Sequence, residues 1–202
     1  MDETELERRF DQAEEALGRG DLAAAERFLN ELLREGGALD PVDEAEAHYL
    51  LGLISEERDD LAGMVDHWLE VLRLDACGDP PQPLLPDAEF ERLAQAALDE
   101  LPQELLDRLG NVPVLIEDRP SPEMVRDGVD PRLLGIFSGL AMPDESVLGS
   151  PAAGVIQLYQ RNLEGAADDE VELAEQIRIT VLHETAHYFG ASEEQLEAWG
   201  LS

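Results

Sequence analysis

The chain has 202 residues, of which 14 are basic and 47 acidic, so its formal net charge is −33 at pH 7. This charge opposes the phosphates of nucleic acid, and we expect no nucleic-acid partner. An apolar share of 44% can build one domain with appendages or two small ones. The stretch MDETELERRF is not a secretion signal and no apolar run is long enough for a membrane span, so we expect a cytoplasmic protein without a membrane partner.

Residues 3 to 75 are predicted to form two consecutive pairs of helices. The first pair is TELERRFDQAEEALGRG and DLAAAERFLNELLREGG, and the second is VDEAEAHYLLGLISEER and DDLAGMVDHWLEVLRLDA. A shift of 39 residues superposes apolar positions of the two pairs: Ala25 on Met64, Leu29 on Trp68, and Leu32 on Val71. Their spacing of three to four residues is that of a buried helix face.

This internal repeat resembles the tetratricopeptide repeat, whose usual period is about 34 residues. The Leu51-Gly52 step and the Gly20-Asp21-Leu22 turn match the pattern of that family. The helical repeats are a candidate binding region for a protein partner. Two repeats are too few for a solenoid, so we expect them to pack on the rest of the chain. His48 and His67, which lie on these helices, are interpreted as packing or surface histidines rather than metal ligands.

The proline-rich stretch CGDPPQPLLPD marks the predicted domain boundary, because four prolines in so short a segment favour a linker. We predict helical hairpins over 1–78, a linker over 79–86 and a second domain over 87–202.

In the second domain, AEFERLAQAALDELPQELLDRL is predicted to be a helix broken near Pro102, and VPVLIED, LLGIFSGL and GVIQLYQ are predicted strands. A long helix, DDEVELAEQIRITVLHETAHYFG, then ends at Gly190. This order predicts an α+β fold in which a small sheet packs against the terminal helix. The strand GVIQLYQ is either an ordinary sheet strand or an open edge to which an extended peptide can add.

The terminal helix carries two histidines four residues apart, with a glutamate after the first. His183 and His187 therefore lie on one face of the helix, one turn apart, where both imidazoles can bind one Zn²⁺. Glu184 is offset by one residue and projects beside the metal, as the general base does in H-E-x-x-H metallopeptidases. The apolar residues before the motif indicate a buried helix, in which these polar groups need partners.

A third metal ligand is expected shortly after the helix. A glycine three residues after the second histidine can turn the chain so that a ligand three residues later folds back. Gly190 and Glu193 occupy these positions, which makes Glu193 the predicted ligand, with Glu194 and Glu197 as neighbouring alternatives. The other interpretation is an acidic helix start, in which Ser192 is the N-cap and the first-turn acids offset the helix dipole.

Residues 88–202 resemble the minimal zincin-like metallopeptidases. The matching stretches are LDELPQELLDRLGNVPVLIEDRPSPE, LLGIFSGL, VIQLYQRNL and IRITVLHETAHYFGASEEQLEAWG. The resemblance implies a small zincin-like domain that binds zinc through His183 and His187 and uses Glu184 as the catalytic base. The third-ligand position of that family usually holds Asp, whereas this chain has Glu193, which is one methylene longer.

The sequence therefore predicts a zinc metallopeptidase that hydrolyses peptide bonds of a peptide or protein substrate with a metal-activated water. Candidates for an oxyanion or substrate contact are Tyr159 and Arg161, whereas Tyr188 follows His187 directly and should point elsewhere. The alternative is a catalytically silent metal-binding adaptor whose tetratricopeptide-like half recruits a protein partner.

Overall fold

A computed structural model describes residues 3–35, 39–78, 80, 82–109, 112–138, 154–192, 194 and 196. The chain begins with four helices, Glu3–Gly18 (α1), Leu22–Glu35 (α2), Pro41–Glu57 (α3) and Leu61–Gly78 (α4). The elements that follow are Asp87–Asp99 (α5), Gln103–Leu109 (α6), Val114–Glu117 (β1), Pro122–Arg126 (α7), Gly135–Ser138 (β2), Val155–Tyr159 (β3), Gln160–Gly165 (α8) and Glu170–Tyr188 (α9). An all-α region thus precedes an α+β region, and the predicted fold class is confirmed.

Two short helices were not predicted from the sequence. The helix α7 lies in a segment that its prolines mark as a turn, yet Pro122 occupies the first helical turn, where a missing N–H costs nothing. Ser121 caps this helix by accepting a hydrogen bond from the Met124 N–H at 3.2 Å. The helix α8 directly continues β3 and has only six residues, too few to show helical periodicity.

The chain divides into two compact units, and the first comprises Met1–Pro80 together with Pro120–Pro131. We call it the helical unit. In it α1 packs on α2, α2 on α3, and α3 on α4. Three pairs of positions that the 39-residue shift superposes are buried: Ala25 and Met64, Leu29 and Trp68, and Leu32 and Val71. The repeat therefore marks the core of this unit.

The segment Pro120–Pro131 lies inside the region assigned from the sequence to the second domain, but it packs with the helices. Val125 of α7 is fully buried in one cluster with Met64, Trp68 and Val71 of α4. The Tyr49 hydroxyl of α3 donates a hydrogen bond to Asp130 Oδ2 at 2.8 Å. Apolar burial and a polar contact thus both hold this segment on the α3–α4 pair.

The second unit comprises Pro81–Arg119 and Arg132–Ser202. Its three described strands form a sheet in the order β1-β3-β2, with β1 parallel and β2 antiparallel to β3. Because β3 is paired on both sides, it is an ordinary sheet strand and offers no open edge. The helix α9 packs on α5, β2 and β3. This packing determines the orientation of α9 and therefore of the helix face that carries the histidine motif. Within the described part of the chain, no helix is both long and apolar enough to cross a membrane.

Candidate functional site

The helix α9 has a defined start and a defined end. At its start the Asp169 carboxylate accepts hydrogen bonds from the N–H groups of Val171 and Glu172. At its end the Gly190 N–H donates to the His187 carbonyl at 2.9 Å, and the Ala191 N–H donates to the Ala186 carbonyl at 3.0 Å. This pair of bonds is a Schellman motif, which requires a left-handed residue. Gly190 supplies it with a φ of 81°, and the chain turns away from the helix axis there.

The two histidines of α9 face each other on one side of the helix. His183 Nε2 and His187 Nε2 are 2.9 Å apart, and the ring centroids are separated by 4.6 Å. Two imidazole nitrogens that share one tetrahedral Zn²⁺ at 2.0–2.1 Å are separated by about 3.3–3.4 Å. The donor type fits a zinc ion, and a small outward movement of the two rings brings the pair to that spacing.

A third ligand cannot be assigned from the described residues. No group of three His, Cys, Asp or Glu side chains among them could hold a metal ion. Glu193, the predicted ligand, and Glu197 lie outside the described residues, whereas Glu194 is an exposed residue of a short helical turn. In that turn the Leu196 N–H donates to the Ser192 carbonyl at 3.1 Å, and the Leu196 side chain is buried.

Glu184 lies on the sheet-facing side of α9, with only 7% of its surface exposed. Its Oε2 accepts a hydrogen bond of 2.7 Å from the main-chain N–H of Phe137 in β2. A hydrogen bond to a carboxylate is short and strong, and it orients the side chain. The sequence indicated that a buried Glu184 would need a partner, but the identity of this partner, 47 residues away, comes only from the structure.

A close approach of β2 to α9 makes this contact possible. A Cβ placed on Gly135 would lie 2.7 Å from Thr180 Cγ2 and 3.0 Å from the Gln157 carbonyl oxygen. A glycine inside a strand is a sequence signal for such an approach. Gly135 stands in the stretch LLGIFSGL, so this signal was present in the sequence although its partner could not be named.

Tyr159, at the end of β3, lies in the electrostatic field of Glu184. Its side chain is fully buried. Burial, followed by the negative charges of Glu117 and Glu184, raises the pKa of the Tyr159 hydroxyl to about 12. The phenol therefore keeps its proton to a higher pH than an ordinary tyrosine.

Arg161, the other candidate for an oxyanion or substrate contact, is engaged in ion pairs. Its Nη1 lies 3.4 Å from Glu164 Oε2, and its Nε lies 3.9 Å from Asp118 Oδ1. The Glu164 side chain is 8% exposed, so a cation beside it offsets the cost of burying its charge. Tyr188 points into the core, where its ring packs edge-on against Phe137 with centroids 5.1 Å apart.

The helix α9 thus carries two imidazole nitrogens that can bind a metal ion and, beside them, an oriented carboxylate. The phenol of Tyr159, at the end of β3, lies in the field of that carboxylate. An imidazole pair can bind a borderline-soft divalent cation, and a nearby carboxylate can accept a proton from water. Such a set is suited to metal-assisted hydrolysis.

The comparison with protein families agrees with this chemistry. Residues 109–201 match the family model of the zincin-like metallopeptidases. The match covers both histidines, Glu184 and position 193, and it includes the three described strands, so this small α+β region is similar to the zincin-like metallopeptidases. No curated protein matches the chain.

Proposed function

We propose that the chain is a zinc-dependent metallopeptidase with its active site on α9. The observation that carries the proposal is the His183–His187 pair with Nε2 atoms 2.9 Å apart, next to the buried and oriented Glu184. The match of this region to the zincin-like metallopeptidases supports the same assignment. His183, His187 and Glu193 would hold the zinc ion.

When bound there, zinc would polarise a water molecule and the carbonyl group of the scissile peptide. Glu184 then takes a proton from the attacking water at its carboxylate and returns it to the nitrogen of the leaving amine. The Phe137 N–H holds this carboxylate in place during both transfers. We prefer Tyr159 as the donor to the oxyanion, because the charge of Glu184 acts on its hydroxyl. Arg161 is the weaker candidate, since its guanidinium is paired with Glu164.

The test is to compare Glu184→Gln with a matched control on the same helix. Glu175→Gln is suitable, because Glu175 is exposed and its carboxylate pairs with Arg178 at the surface. A peptide library is incubated with each purified variant, and the bound zinc is measured by mass spectrometry. We expect Glu184→Gln to keep zinc and lose hydrolysis, and Glu175→Gln to keep both. His183→Ala should remove the zinc. Unchanged metal content in His183→Ala would overturn the proposal.

The second candidate function is a metal-binding adaptor whose tetratricopeptide-like helical unit recruits a protein. It is favoured by the separate hydrophobic core of that unit, which includes Leu29, Leu32 and Ile54. Against it, Val125 already covers the face of α4 formed by Met64 and Trp68. Glu184→Gln separates the two functions, because an adaptor keeps its activity when the base is lost.

A further inference from the structure

The main-chain N–H of Phe137 points out of the sheet and toward α9. In an antiparallel pair, successive residues direct their N–H and C=O groups alternately toward and away from the partner strand. The Leu134 carbonyl points toward β3, where it accepts a hydrogen bond from the Tyr159 N–H at 2.9 Å. By this alternation the main-chain N–H and C=O groups of Ile136 and Ser138 also point toward β3. Those of Gly135 and Phe137 point away from it. The Phe137 N–H is therefore not a member of the ladder between β2 and β3.

This outward N–H meets the carboxylate of Glu184. The distance of 2.7 Å from Phe137 N to Glu184 Oε2 is that of a charge-assisted hydrogen bond. Glu184 is on a helix and Phe137 on a strand, and both elements are packed into the core of the second unit. The donor is a backbone group with no rotamer freedom of its own, so it fixes the position of Oε2 more firmly than a flexible side chain would.

We propose that β2 is the positioning element of the catalytic base, with the Phe137 N–H as the donor and Gly135 as the residue that brings the strand close enough. The inference rests on the proposed function, in which Glu184 moves the proton. Gly135 contributes by having no side chain, since its Cβ would lie 2.7 Å from Thr180 Cγ2. Any larger residue moves β2 away from α9, and this movement lengthens the bond from Phe137 to Glu184. Phe137 and Gly135 act through Glu184 and are not themselves catalytic.

The donor can be removed by a single substitution without breaking the sheet. Phe137→Pro replaces the N–H with a ring carbon that cannot donate to Glu184 Oε2 and presses against it, and proline is tolerated where a strand does not use that N–H for its ladder. Phe137→Leu is the matched control, because it also loses the ring that packs on Tyr188 but keeps the N–H. We expect kcat of Phe137→Pro to lie roughly 10- to 100-fold below that of Phe137→Leu, with similar KM and the same bound zinc. A rise in KM with kcat unchanged would overturn the proposal.

A second pair of variants tests the approach of the strand. Gly135→Ala should lower kcat and retain zinc, because the strand moves while the histidines do not. Adding Thr180→Ser removes the methyl group nearest to the new Cβ, while the Gln157 carbonyl oxygen at 3.0 Å stays, so kcat should recover in part. If the double variant is no more active than Gly135→Ala alone, the approach of β2 to Thr180 of α9 does not position the base.

A spectroscopic measurement tests the hydrogen bond without any activity. An amide proton bound to a carboxylate is shifted downfield, so the Phe137 amide resonance should move upfield in Glu184→Gln, where the acceptor is neutral. An unchanged Phe137 resonance contradicts the inference. If hydrolysis survives Glu184→Gln, the proposed function fails. If Glu184→Gln is inactive but Phe137→Pro is as active as Phe137→Leu, only the positioning inference fails.

Discussion

Gly52 of α3 provides a stability prediction whose sign depends on two opposing effects. A Cβ at this position would lie 2.1 Å from Trp68 Nε1 and 2.2 Å from Trp68 Cδ1. Trp68 is 2% exposed and is packed together with Met64, Val71 and Val125. The indole ring cannot move aside, because the neighbouring core side chains leave it no space.

The substitution Gly52→Ala gains helix propensity and loses packing. Replacing glycine by alanine inside a helix stabilises it by about 1 kcal/mol. Forcing a methyl group into a filled core costs about 1–3 kcal/mol, and a contact well under 3 Å with a buried ring belongs at the upper end of that range. The expected net loss is about 2 kcal/mol. For a unit of this size, the corresponding decrease in Tm is roughly 8–16 °C.

Thermal unfolding followed by circular dichroism measures this effect. The matched control is Gly18→Ala at the last residue of α1, where an added Cβ meets nothing within 4 Å. Gly18→Ala should leave Tm unchanged or raise it by the propensity gain alone. If Gly52→Ala melts at or above the wild-type temperature, Trp68 is able to move and the packing argument is refuted.

Three further predictions concern the turn after α9, the buried tyrosine and the histidine pair of the helical unit. Gly190→Ala forces a Cβ onto a backbone with φ of 81°, which should cost about 1 kcal/mol and weaken zinc binding in a chelator competition, because this turn leads to the predicted third ligand. Tyr159→Phe should lower kcat about 100-fold or more with unchanged zinc content. His48 and His67, whose Nδ1 atoms are 3.0 Å apart, both have pKa values lowered chiefly by burial. The unfolded chain therefore binds more protons, so the free energy of unfolding in urea should fall as the pH drops below about 6.5.

Each of these predictions has a result that contradicts it, and two of them have a comparison variant. Gly190→Asn should lower stability and zinc affinity less than Gly190→Ala, because asparagine tolerates the left-handed conformation. Equal zinc affinity in wild type and Gly190→Ala would show that this turn does not position a metal ligand. An unchanged kcat in Tyr159→Phe removes the phenol from the mechanism. His48→Gln should reduce the pH dependence of stability, and the same slope in both proteins would show that the pair is not its source.

The sequence predicted those features that depend on local spacing. The histidine motif could be placed because residues four apart on a helix always share a face. The break at Pro102 and the helix end at Gly190 follow from the missing N–H of proline and the left-handed tolerance of glycine, and the structure has both. The three superposed pairs that begin with Ala25, Leu29 and Leu32 are buried, because a period of 3.6 residues identifies the buried face of a helix even when the element that covers it is unknown.

Features that depend on contacts between distant segments were decided by the tertiary structure alone. The central position of β3 follows from its pairing with β1 and β2, and apolar alternation in a strand does not name its neighbours. The packing of Val125 on α4 joins segments far apart in the chain.

The candidate site also combines features that the sequence determines with features that only the tertiary structure determines. The sequence by itself determined the residue types at the site, because an i, i+4 pair of imidazoles with an adjacent carboxylate is a property of one helix. Only the tertiary structure decided how the carboxylate is held, since the Phe137 N–H reaches Glu184 through the close approach of β2 at Gly135. A backbone N–H is present at almost every residue, so no sequence pattern distinguishes the one that a folded chain places beside its base.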